Sequence, residues 1–176
     1  MKLKVETLNV IKMESLPTFV FPQQPATPNP MVVFLCNDSD LAWDYAIAGE
    51  KFCSSLKVPV VTTCLKEYGD DENHSTHLKS MVKNDNLVGA VIIFDLSKRE
   101  SYLRIPFWHN IFLEACPTGK IAILVIESVA QSYEVDVEDL VALDKATYSR
   151  YKLVRVKSPQ DEKIFNAVYN TVSHLI

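Results

Sequence analysis

The chain has 176 residues, 48% of them apolar, and a formal net charge of −4, which is enough apolar content for one domain with a substantial core. A pI near 5.6 and the lack of any long basic run exclude the electrostatic footprint of a DNA- or RNA-binding protein. No apolar run approaches the roughly 20 residues a bilayer span needs, the start MKLKVETLNV lacks a signal-peptide layout, and no Cys near the C-terminal HLI offers a prenyl anchor. The expectation is a protein of the nucleus or cytoplasm without a membrane anchor.

Residues 1–30 read as an N-terminal extension. KLKVETLNVIKM can make a strand, and PQQPATPNP, with four prolines in nine residues, can only be an extended connector. Residues 31–176 read as a single domain. MVVFLC suits a strand buried on both faces, and DLAWDYAIAGEKFCSSL follows with helical period, Leu41, Tyr45, Ala48, Phe52 and Leu56 falling on one stripe. VPVVTTCL is a second strand. KEYGDDENHSTHLKSMVKNDN is polar, a loop with one short helix around His77 to Lys83, which makes His74 and His77 solvated loop residues rather than a metal pair.

GAVIIFDLS is the clearest strand, RESYLRIPFWHNIFLEAC a helix with Pro106 in its first turns, and IAILVIES another buried strand. VDVEDLVALDKATYSRY predicts a helix, KLVRVK a half-exposed strand, and DEKIFNAVYNTVSHLI an amphipathic helix aligning Ile164, Val168, Val172 and Leu175. Strands alternating with helices predict a three-layer α/β/α domain around a mostly parallel sheet. Cys36, Cys53, Cys64 and Cys116 are too scattered for a zinc site or a disulfide frame and read as reduced, buried thiols.

Ligands of open parallel sheets bind beyond the carboxyl ends of the strands, so the turns there carry the functional signal. A phosphate-cradling loop needs G-x-x-x-x-G-K-[ST], with glycines for backbone approach, Lys for charge and a hydroxyl for Mg²⁺. In CNDSDLAW those slots hold Cys36, Leu41, Ala42 and Trp43. Asp38, Ser39 or Asp40 is better read as the cap of the next helix. A metal-dependent alternative would gather Asp38, Asp40 and Asp95 at adjacent strand ends to hold Mg²⁺ for phosphoryl chemistry. Asp95 also has a simpler role in its own turn.

The second turn, FDLSKRESY, continues into a helix with a Trp and then an ILV strand. Through Asp95, Ser97, Ser101, Tyr102 and Trp108 this stretch resembles the Ras and Rab small-GTPase fold. That family reads guanine with N-K-x-D after the ILV strand, where this chain has Glu127, Ser128, Val129 and Ala130. Phosphate loop, metal ligands and base reader are all missing, so the resemblance implies a pseudo-GTPase that binds no nucleotide and no cofactor. SSLKVPVV and TGKIAIL are similar to the centromere protein M family of inner-kinetochore scaffold subunits. The adaptin-binding protein family of assembly chaperones shares the degenerate layout. A divergent active GTPase would have to bind phosphate through the backbone amides of NDSD alone.

No nucleophile, base and orienter can be assembled, so the expected role is contact with a protein partner, not catalysis. Within residues 99–116, Ile105, Trp108 and Phe112 form a stripe toward the sheet, while Leu103, Phe107 and Ile111 form a second one. Either a partner covers this second stripe or TFVF at 18–21 does. Trp43 and Ile47 lie off the core stripe of the first helix and are a second candidate contact.

Overall fold

The apolar run at Met31 forms strand β1 (Met31–Leu35), and Asp38 starts helix α1 (Ser39–Ser55) by taking the Leu41 N–H at 3.0 Å. The structure is a computed structural model describing residues 28–65, 71–127, 132–147 and 152–175. Along the chain follow β2 (Val61–Cys64), α2 (Asp71–Asn84), β3 (Leu87–Asp95), α3 (Arg99–Leu103), α4 (Ile105–Ala115), β4 (Lys120–Ile126), α5 (Val137–Thr147), β5 (Lys152–Val156) and α6 (Ile164–Val172). All strand pairs are parallel, in the order β2-β1-β3-β4-β5. Helices α1 and α6 bury one face of the sheet, and α2, α4 and α5 bury the other. The expected three-layer α/β/α architecture is therefore present, and burial on both faces explains why β1, β3 and β4 read as continuous apolar runs.

Four local expectations need correction. On α1 the residues that reach zero or near-zero exposure are Ala42, Tyr45, Ala46 and Cys53, while Leu56 lies past the helix end and is exposed. The cause is close approach: a Cβ on Gly49 would stand 3.0 Å from Val168 Cγ2 and 3.1 Å from Phe34 Cζ. Small residues bring α1 down onto the sheet and α6, and the larger ones flank that contact. On α6, Ile164, Val168 and Val172 are buried as expected, but Leu175 follows the helix and is exposed.

The single helix expected over 99–116 is two, broken at Arg104, with Pro106 in the first turn of α4 where its missing N–H costs no helical bond. The short helix expected at His77–Lys83 extends over the whole of α2. It buries His74, Leu78 and Met81, spaced one helical face apart, so His74 is a core residue and not a solvated one.

All four cysteines are free and buried. Burial pushes the thiols of Cys36, Cys53 and Cys116 up, that of Cys53 to about 11, which makes them poor nucleophiles. No described helix is long and apolar enough to cross a membrane. The possible N-terminal strand over 2–13 and most of the proline connector lie outside the described residues.

Candidate functional site

The strand order reverses direction between β1 and β3, which places the fold's natural ligand crevice at their carboxyl ends. A cleft of about 630 Å³ lies there, lined among others by Cys36, Asp38, Asp95, Lys98, Glu100 and Glu134. Its walls are tied together by the residues that carried the small-GTPase resemblance. Asp95 Oδ1 accepts the Ser97 N–H at 2.8 Å and the Ser97 hydroxyl at 2.7 Å, while Ser101 Oγ accepts the Asp95 N–H at 3.0 Å. Tyr102 donates its hydroxyl to the Asp139 carbonyl at 3.2 Å and stands edge-on to Phe94. Trp108 Nε1–H reaches over to Asn37 Oδ1 at 3.2 Å, joining α4 to the turn after β1.

The electrostatics of this cleft oppose a phosphate. Among the described residues that line it, four carry carboxylates, Asp38, Asp95, Glu100 and Glu134, and one, Lys98, an ammonium, so an anion entering beside them would meet mainly negative charge. The start of α1, whose amides would otherwise attract an anion, is capped by the side chain of Asp38. The Arg99 guanidinium pairs with Asp139, and hydrogen bonding from it holds the Asp139 carboxyl below its usual range. The Arg99 N–H goes to Glu134 Oε2 at 2.8 Å.

The structure does not assemble the three-aspartate Mg²⁺ site. Asp38 and Asp95 share the cleft, but Asp40 lies outside its lining, on the exposed first turn of α1. Among the described residues no group of three or more His, Cys, Asp and Glu side chains could hold a metal ion. In the third turn Glu127 pairs with Arg155 at 3.2 Å. Ser128, Val129 and Ala130 lie outside the described residues.

The apolar candidates separate into covered and open ones. Leu103 is 62% exposed, but Ile111 is only 9% exposed and belongs to the same core cluster as Leu78 and Met81 of α2. Phe107 is half-buried, with the Arg104 guanidinium 3.8 Å above its ring and the His74 ring edge-on at 6.3 Å. Ile111 is thus withdrawn as a contact residue, since α2 packs against α4 there; TFVF at 18–21 lies outside the described residues. His74 itself is 3% exposed, stands edge-on to Trp108 at 5.3 Å, and has no hydrogen-bond partner among the described residues for either ring nitrogen.

On α1, Trp43 and Ile47 are 48% and 51% exposed. A groove of about 370 Å³ runs beside them, bounded by Glu50, Lys51 and Ser54 on the helix and by Thr62 on edge strand β2. A second depression of about 510 Å³ lies on the other side of Ile47, against Phe52 and Pro159. Val137 and Val141 on α5 are further exposed apolar residues that the sequence reading missed. Their spacing of four could have flagged them. No protein-family model matches the chain, and no curated protein matches it either.

Proposed function

We propose that the chain is a nucleotide-free, Ras-like module, a pseudo-GTPase that works as a structural or adaptor subunit of a protein complex and not as an enzyme. The observation that carries this reading is the carboxylate-lined cleft at the β1–β3 switch point, where a nucleotide's phosphates would have to sit. The contact surface is the outer face of α1 around Trp43 and Ile47, where two large apolar side chains stand beside a groove. Leu103 is a secondary contact. The SSLKVPVV and TGKIAIL stretches favour an inner-kinetochore scaffold of the centromere protein M kind, in the nucleus. An adaptin-binding type of assembly chaperone in the cytoplasm is the alternative.

The test is affinity capture of the tagged full chain against its Ile47→Asp variant. Exposed sites such as this change stability within about 0.5 kcal/mol, so the variant should melt with the wild type and lose its stoichiometric partner. Capture of the same partner in the same yield would remove α1 as the interface. Phe107→Asp is unsuitable because Phe107 also packs on His74. Imaging the tagged chain separates the two cellular readings: foci on mitotic chromosomes for the scaffold, a cytosolic signal with adaptor subunits for the chaperone.

A further inference from the structure

We propose that the outer edge of β5, with the flanks of α5 and α6 beside it, is a twofold interface at which the chain pairs with a second copy of itself. This edge is the opposite end of the sheet from β2, the strand beside the α1 groove, so the proposal is independent of the α1 contact face. Among the described residues no strand pairs with the outer side of β5. The Val156 carbonyl accepts the Glu127 N–H at 2.7 Å and so points toward β4. Alternation along the strand then turns the N–H and C=O groups of Leu153 and Arg155 outward. Beyond them the Lys157 N–H closes on Asp161 Oδ2 at 3.3 Å. The edge at β2 is guarded, because Glu50 Oε2 accepts the Thr62 N–H at 3.2 Å. Among the described residues β5 has no such guard, and it contains no proline and keeps an unbroken register with β4.

The flanking helices decide what the occupant is. On α5 the buried Leu140 points into the core, and Asp139, about 100° to one side of it, meets Arg99 of α3. The exposed Val137 and Val141 lie roughly 60° and 100° to the other side, away from α3 and over the edge of β5. On α6 the buried Ile164 and Val168 meet Gly49 of α1, and Thr171 meets Gly89 of β3. Phe165 and Tyr169, stacked at 5.3 Å, lie roughly 60° and 100° from Val168 on the far side, again over the edge of β5. A lone added strand would lie in the sheet layer, between these two pairs and beside neither. Side chains that point along a helix layer are covered by another helix, so the occupant brings a strand edge and a helix on each face of it. A second copy does this. About a twofold axis through Val154, Leu153 and Arg155 exchange backbone hydrogen bonds with Arg155 and Leu153 of the second copy. As the crossover from β4 to β5, α5 then stands about 10 Å from its mate, a normal helix spacing. Arg155 brings no free charge to the axis, being paired with Glu127 of its own chain at 3.2 Å. An edge about 16 Å long and roughly 30 Å through its three layers gives a footprint of about 500 Å² per copy. The total of about 1,000 Å² is at the low end for a specific interface, so the dimer is concentration-dependent.

Sedimentation equilibrium of the full chain, 19.9 kDa as a monomer, tests this from low micromolar to millimolar loading. The expected mass rises toward two copies. Over the same range the Leu153 and Arg155 amides should slow in hydrogen exchange, by about tenfold where nine-tenths of the chain is dimeric. Val141→Asp changes an exposed site, so the dilute chain should melt with the wild type, while an unpaired charge at the interface weakens association by about tenfold or more. Ile47→Asp, on α1, should associate like the wild type. A wild type that stays monomeric at millimolar concentration would overturn the proposal. So would a dimer whose Leu153 and Arg155 amides exchange as fast as in the dilute chain, one that Val141→Asp leaves intact, or one that Ile47→Asp breaks. All of these are read on the isolated chain, apart from the partner capture that tests α1.

Discussion

Trp108→Ala should lower the unfolding free energy by about 3–5 kcal/mol, the range for truncating a fully buried Trp. The indole is among the largest wholly buried side chains, and it sits where three elements meet. It packs edge-on against His74 of α2 and Phe107 of its own helix, at 5.3 and 5.0 Å between centroids, and its N–H holds Asn37 in the turn after β1. Truncation leaves a cavity under α2, exposes His74's ring to it, and frees the wall of the cleft. For a domain of this size the midpoint should fall by roughly 10 °C. Trp108→Phe keeps a ring but loses the donor, which costs about 1 kcal/mol for the hydrogen bond alone. Urea unfolding of the three proteins measures this directly. A loss below about 1 kcal/mol for the Ala variant would mean that α2 is not seated on α4 as described.

Gly89→Ala is the second large effect, for the opposite reason. A Cβ at position 89 would lie 2.6 Å from Thr171 Cβ and 2.7 Å from Thr171 Oγ1. Thr171 is fully buried on α6 and bonds the Val168 carbonyl at 2.7 Å, so it has no alternative place to go. The clash is with Cβ itself, which no rotamer moves, and α6 must lift from the start of β3. Overpacking of this kind costs about 1–3 kcal/mol, and Gly89→Val should cost more than Gly89→Ala. Denaturant midpoints of the pair settle the order. A Gly89→Val chain as stable as the wild type would place α6 farther from the sheet than the structure has it.

How far these features were legible differs by element. β3 and β4 announced themselves because a strand covered on both faces must be apolar throughout. The phase of α1 does not follow from its large residues, because Ala42, Ala46 and Gly49 set the closest approach. The extent of α2 was hidden because one of its three inward residues is His74, which counts as polar in any pattern. The error over Ile111 followed from that, since nothing in the sequence aimed α2 at α4. At the cleft, the mismatch to the phosphate-loop pattern was plain from Cys36, Leu41, Ala42 and Trp43. Its acidic lining was not, because Glu134 arrives from a segment distant in sequence.

The most direct measurement is thermal unfolding of the purified full chain, alone and with millimolar GTP or GDP plus Mg²⁺. A ligand at a hundred times its dissociation constant adds about 2.7 kcal/mol, which for a domain of this size raises the midpoint by roughly 5–10 °C. The account predicts the same midpoint in every condition, because the carboxylate-lined cleft repels phosphate. A rise of that size with either nucleotide would contradict it.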